Sequence, residues 1–254
     1  MSVSRRTFIT GAAAAFLAAC GRGRKTPAAS RASTTTVASS GAGGSDATTT
    51  TVGGPARYVP HGPRDGTAVA LTFHGSGDHS LGLQLLDAAA KARAPITVFA
   101  VGTWLEQEPD MARRILDAGH ELANHTYTHP SLGRVDRAGV ASEITRCRDV
   151  LARVSGSGGR WFRPSGIDVP TALMLEETAN AGYHVSVGYD LDPHDYQDPG
   201  AAAVLSRVKA SVQPGSIISL HFGHAGTVAA FPGIVSAIRD RGLEPVLVRQ
   251  LLTA

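Results

Sequence analysis

The sequence predicts an α/β domain on a mostly parallel sheet that curls towards a barrel. Three observations carry this. From residue 68 onward, short apolar runs alternate with amphipathic stretches, and repeated strand-then-helix units in one domain imply a parallel sheet with helices outside it. The stretch from Tyr58 to Ala254 is long enough for one sizeable core. Finally, the chemistry-bearing residues repeatedly follow the C-terminal ends of predicted strands, the rim on which barrel-type α/β folds assemble their sites.

Each element has its own signal. Ala68 to Phe73 reads as a buried strand and Leu81 to Ala92 as a helix. Ile96 to Val101 is a second strand, and Pro109 to Ala118 a helix closed by Gly119. A third strand, Glu121 to Asn124, leads into His125, where Thr, Tyr and Pro130 discourage helix. Arg137 to Val154 is helical. Trp161 to Arg163 is a short strand ended by Pro164, and Thr171 to Ala181 a helix ended by Gly182. Val185 to Tyr189 is a strand, Pro199 to Val212 a helix with proline in its first turn, and Ser216 to Leu220 a strand running into His221. Gly226 to Arg241 is helical despite a weak spot at Pro232-Gly233, and Glu244 to Val248 is the last strand.

The chain begins differently. Arg5-Arg6 precede an apolar run from Gly11 to Ala19, which reads as a twin-arginine export signal too short to span a membrane. Leu17-Ala18-Ala19-Cys20 resembles a lipobox, with cleavage leaving Cys20 to be lipidated, so residues 1–20 are assigned to a lipoprotein signal peptide. Residues 21–57 are Ser, Thr, Gly, Ala and Pro with scattered arginines. They lack the apolar content to offset ordering and read as a flexible tether to the domain at 58–254. The expected location is therefore the outer face of the cytoplasmic membrane, with the lipid at Cys20 as anchor.

The formal charge of +3 belongs to that leader. Residues 1–57 carry seven of the 24 basic side chains and one of the 21 acidic ones, leaving the domain with 17 against 20. Such a balance gives no support for nucleic-acid binding. With Cys20 lipidated, Cys147 has no disulfide partner and reads as an inert buried thiol on a helix. All ten histidines lie in the domain.

The central motif is His125-Thr126-Tyr127-Thr128-His129, two imidazoles that reach one metal ion if the backbone between them turns. His74 to Asp78, Arg163-Pro164, Asp190 to Asp195 and His221 also stand at predicted strand ends. His79 beside Asp78 is a further candidate ligand.

These residues resemble the polysaccharide deacetylase family, carbohydrate esterases with the NodB homology domain. The likeness runs from Ala68 to Leu252. It rests on Leu71-Thr72-Phe73, the run from Ala118 to Pro130, Phe162-Arg163-Pro164, Asp195-Tyr196 and Leu220-His221. The resemblance implies a distorted, incomplete (β/α) barrel. It also implies hydrolysis of N- or O-acetyl groups on an envelope glycan with one divalent metal, zinc first, cobalt or another transition metal in its place. It casts His125 and His129 as metal ligands and Arg163 as the arginine that orients a catalytic carboxylate. His221 becomes the general acid, Asp195 its partner, and Pro164 and Tyr196 substrate-contacting residues. A metal polarises the acetyl carbonyl, and an acid on the other side releases the sugar nitrogen.

The first motif departs. Where the family has Thr-Phe-Asp-Asp-Gly, with a base and then a ligand, this chain has Thr72-Phe73-His74-Gly75-Ser76-Gly77-Asp78. The preferred arrangement has Asp78 completing the metal site and His74 as base. The alternatives are His74 as third ligand with Asp78 as base, or a site that binds glycan without turnover.

Overall fold

The computed structural model of the protein describes residues 53–253. The signal peptide, the lipidation at Cys20 and most of the tether fall outside them. The tether's expected end does not: Ala56 is buried, its N–H bonds to the Leu175 carbonyl, and Arg57 opens a strand. No helix among the described residues is long and apolar enough to cross a membrane.

The elements run β1 (Arg57–Val59), β2 (Ala68–Gly75), α1 (His79–Ala92), β3 (Thr97–Ala100), α2 (Gly102–Gln107), α3 (Pro109–Asp117), β4 (Glu121–Asn124) and α4 (Arg137–Ser155). They continue α5 (Ala172–Asn180), β5 (Val185–Val187), α6 (Ala201–Ser211), β6 (Ile217–His221), α7 (Ala225–Arg239), β7 (Glu244–Val246) and α8 (Val248–Leu251). Every strand pairing is parallel. One sheet runs β4-β3-β2-β6 with β7 against the start of β2, and β1 pairs with β5. Single bridges join them: Asn124 to Phe162, Phe162 to Ser186, and Leu191 to Ile218. Two sheets stitched by one-residue bridges make the distorted, incomplete barrel that was expected.

The differences from the sequence reading have local causes. The strand expected at Trp161 to Arg163 shrinks to the bridge at Phe162, because Pro164 has no N–H to carry the ladder on. β7 stops at Val246, and the chain turns into α8, whose Val248 and Leu251 join Ala70, Phe99 and Ile217 in one cluster. Pro232 is accommodated inside α7. β1 and α2 were not anticipated; both are too short to show a period.

Strand alternation sorts the side chains. On β2, Val69, Leu71 and Phe73 pack into the cluster that also holds Leu85, Phe231 and Ile234 of the flanking helices. Ala70, Thr72 and His74 therefore point to the other face, where Ala70 meets Phe99, Ala123 and Ile217. The same period carries β6 through Ile217 and Ser219 to His221, and β4 through Glu121 and Ala123 to His125. The histidines thus end three interior-facing rows. A slip of one residue would turn them out among the helices.

Candidate functional site

Register assembles the site. His74 pairs with His221 across β2 and β6, and Gly75, Ala100 and Asn124 align across β2, β3 and β4. His125 is the next residue, its N–H bonded to the Ala100 carbonyl at 3.0 Å. The rings of His74 and His125 stack with centroids 4.1 Å apart, and His129 lies 4.8 Å from His125. One nitrogen from each of the three lies within 4.8 Å of the others.

Their protonation suits a cation. Burial first, then the neighbouring charges, pushes His74 and His125 well below the ordinary histidine range, and burial lowers His129. Neutral imidazoles keep a lone pair for a ligand bond. His125 Nδ1 sits 3.0 Å from the Arg163 carbonyl, so Nδ1–H donates there and Nε2 is left as the acceptor atom. The Nε2 atoms of His74 and His125 are buried without a hydrogen-bond partner. Such atoms are costly unless something binds them, so the three residues fit a divalent metal.

Asp78 does not join them. It caps α1, its Oδ1 accepting the Leu81 N–H at 2.9 Å on the exposed surface. The structure thus brings His74, and not Asp78, to the histidine pair, because an aspartate before a helix finds a ready donor three residues on. The cap also takes Asp78 out of the cavity wall, where a base would stand. Gly75 occupies the place of the family's second aspartate. A Cβ there would lie 2.7 Å from Val98 Cγ1, 3.1 Å from Ala100 Cα and 3.3 Å from Trp104 Cζ3.

Arg163 is 1 % exposed. Its Nε, Nη1 and Nη2 donate to the Val187 carbonyl, Thr72 Oγ1 and the Gly188 carbonyl at 3.1, 3.0 and 2.9 Å, and its guanidinium lies 4.0 Å from the Phe99 ring centre. Among the described residues no carboxylate bonds it. Where an arginine that orients an acid was expected, this one braces the barrel wall, and burial pulls its pKa down to about 9.

His221 and Asp195 meet as expected. His221 Nδ1 lies 2.7 Å from Asp195 Oδ1, the His221 N–H donates to Oδ2 at 2.9 Å, and Thr227 Oγ1 donates to Oδ2 at 2.6 Å. With Nδ1 taken by Asp195, Nε2 is the ring nitrogen left outside that pair. Thr227 was missed, since a threonine early in a helix carries no motif. Tyr196 stands 5.0 Å from the His221 ring.

A cavity of about 430 Å³ opens over the cluster, with His74, His129, Pro164, Tyr189, Tyr196 and His221 among its walls. Asp168, Asp192 and His194 also line it; only the acidic run around Asp192 was legible beforehand. A groove of about 440 Å³ between α1 and α7 is lined by Asp87, Lys91, Val228 and Pro232 among others, with no histidine in its lining. The other candidates resolve into local pairings: His79 with Glu108 at 2.8 Å, His224 with Asp198 at 2.9 Å, and His120 accepting from the Ile96 N–H. Cys147 is fully buried, its thiol pushed up to about 12 by burial, and is inert as expected.

Known proteins share this architecture. The polysaccharide deacetylase profile matches residues 61–186. A chitooligosaccharide deacetylase from Sinorhizobium fredii is 35% identical over 201 residues, 73% of this chain and 93% of that protein. The crystal structure of the Bc1960 peptidoglycan N-acetylglucosamine deacetylase superposes with a TM-score of 0.73 at 25% identity, over 78% of this chain and 93% of that one. The family 4 carbohydrate esterase from Streptomyces lividans, solved with acetate, gives 0.66 at 30% identity over 72% and 93%. On this likeness of sequence and fold, the chain belongs to the polysaccharide deacetylase family.

Proposed function

We propose that this chain removes acetyl groups from an N-acetylated, or O-acetylated, polysaccharide of the cell envelope, with one divalent metal at His74, His125 and His129. The observation that carries this reading is a cluster of three histidines, two of which (His74 and His129) line one cavity with His221, whose ring is held by the buried Asp195. Zinc suits three imidazoles with an open position, and cobalt can stand in for it. When bound, the metal supplies polarisation of the acetyl carbonyl. Hydrolysis joins a water oxygen to the acetyl carbon and breaks the carbon–nitrogen bond, the acetic acid formed losing its proton to solvent. Asp195 holds the His221 ring at Nδ1, Thr227 and the His221 N–H hold Asp195, and His221 supplies from Nε2 the proton that the departing sugar nitrogen takes up. Tyr196 and Pro164 give the sugar ring a wall. The export signal and Cys20 support a lipid anchor on the outer face of the membrane; loss of lipid labelling in Cys20→Ala tests that part.

The decisive test is acetate release from chitooligosaccharides and peptidoglycan fragments by the zinc- or cobalt-loaded chain, compared with His221→Ala. Release that depends on His221 is expected, and its absence from every acetylated glycan would sink the hydrolase reading. One observation favours a second reading, a glycan-binding lipoprotein without turnover: among the described residues no carboxylate stands in the histidine cluster. Binding without release, unchanged in His221→Ala, would establish it.

A further inference from the structure

The loop between His125 and His129 is held in a conformation its residues resist. Thr126 has φ 69° and His129 φ 60°. Non-glycine residues are uncommon in this region, and a β-branched threonine is a rare occupant. Such strain persists only where surrounding contacts over-determine it.

Thr126 itself is held by Asn124, whose Oδ1 accepts its N–H at 2.9 Å, and by Ser165, whose Oγ accepts its hydroxyl at 3.0 Å; two helices clamp the rest of the loop. From α2, the N–H groups of Gly102 and Thr103 donate to the carbonyls of Thr126 and Tyr127 at 3.0 and 2.9 Å. The approach is close enough that a Cβ on Gly102 would lie 2.7 Å from the Tyr127 ring. From α4 comes a single side chain, Glu143. Its Oε2 accepts the consecutive N–H groups of Tyr127 and Thr128 at 2.9 and 2.8 Å, and its Oε1 accepts the Thr128 hydroxyl at 2.8 Å. Every hydrogen bond of that carboxylate thus goes to the three-residue span between the two histidines. Arg146, one turn along α4, stacks over the Tyr127 ring at 3.6 Å.

We propose that Glu143 is a positioning residue for the metal centre: its carboxylate holds the strained 126–128 turn so that His125 and His129 face one point. The inference rests on the reading of the histidine cluster as a metal site. Glu143 touches neither ring; it acts through the backbone that carries them. Without it the loop relaxes towards negative φ and the two imidazoles part.

The test uses the 254-residue chain in two measurements. Zinc affinity is read by competition with a chromophoric chelator. Amide hydrogen exchange of Tyr127 and Thr128 is read in the metal-free protein. Glu143→Ala should weaken zinc binding about 10- to 100-fold, the usual effect of removing an outer partner, and should speed exchange at both amides. Glu143→Gln, which keeps an acceptor for both N–H groups and an amide for the Thr128 hydroxyl, should stay within about threefold of the parent. If Glu143→Ala does not fold, Thr128→Val removes the hydroxyl contact alone at an exposed position and should weaken zinc by about threefold. Equal zinc affinity in the alanine variant and the parent would overturn the proposal, as would equal losses in the alanine and glutamine variants. A parent that takes up no zinc overturns the metal reading instead. Unchanged exchange at Tyr127 and Thr128 overturns the brace in either case.

Discussion

β3 and β4 bury polar atoms at both of their ends, under opposite rules. At their starts, Thr97 and Glu121 are register partners. Glu121 accepts from Thr97 Oγ1 at 3.1 Å, Trp161 Nε1 at 3.0 Å and the Arg249 N–H at 3.3 Å, and Thr97 accepts the Val248 N–H at 3.1 Å. That network is closed: each oxygen has a donor, and the last helix is stitched across the barrel floor by it. At the other end, His74 and His125 keep buried nitrogens with no partner, and Arg163 spends its donors on carbonyls and one hydroxyl. An unpaired buried polar atom costs roughly 1–3 kcal/mol. Folding alone gives no reason to collect two of them beside a cavity. The Glu121 network serves stability, although His120 Nε2 beside it also lacks a partner; on the function proposed above, the His74–His125 end is the one open to a ligand.

Substitutions should separate the two ends. The largest effect is expected for His125→Ala, which should weaken zinc binding at least about a thousandfold, since a ligand bond is lost outright; metal content after dialysis reads it, and retained stoichiometric zinc would remove His125 from the site. Asp195→Asn should lower kcat about 10²-fold or more by freeing the His221 ring, with zinc content unchanged. Glu121→Ala should do the reverse, costing about 3 kcal/mol of stability by chemical denaturation while the folded fraction keeps its zinc. Loss of zinc at equal folding would erase the distinction between the ends. Thr227→Val should reduce kcat about tenfold with KM little changed, through one hydrogen bond to a charged acceptor, and Thr227→Ser should restore it.

The smallest expected effect is on pH dependence. The folded-state pKa values of His74, His125 and His129 lie below 6.5. As pH falls through 6.5, the unfolded chain binds protons that the folded one refuses, so the metal-free protein loses stability on the acid side. Urea midpoints on either side of that pH should show the loss, and it should shrink in His74→Asn. His120, whose pKa burial also lowers, adds to the same slope, and its share should persist in His74→Asn.

Much of this was readable beforehand, for definite reasons. The strand ends that carry His74 and His221 were legible in the apolar runs before them, and the H-x-x-x-H spacing marked a candidate ligand pair. The Asp195–His221 contact spans 26 residues; the resemblance supplied it, and local pattern could not. The choice between His74 and Asp78 turned on a cap: a hydrogen bond to the Leu81 N–H, three residues away, holds Asp78 on the surface. Glu143 and Thr227 were invisible because helical period says which way a side chain points, and says nothing of what it meets.

Gly75 limits what a substitution could add to this strand. A Cβ there would meet Val98 Cγ1 at 2.7 Å first, a side chain that a second substitution can shorten. Ala100 Cα at 3.1 Å would then have to give by a few tenths of an ångström. Adding a carboxylate at this position is therefore a two-residue change, with Val98 the partner to trim.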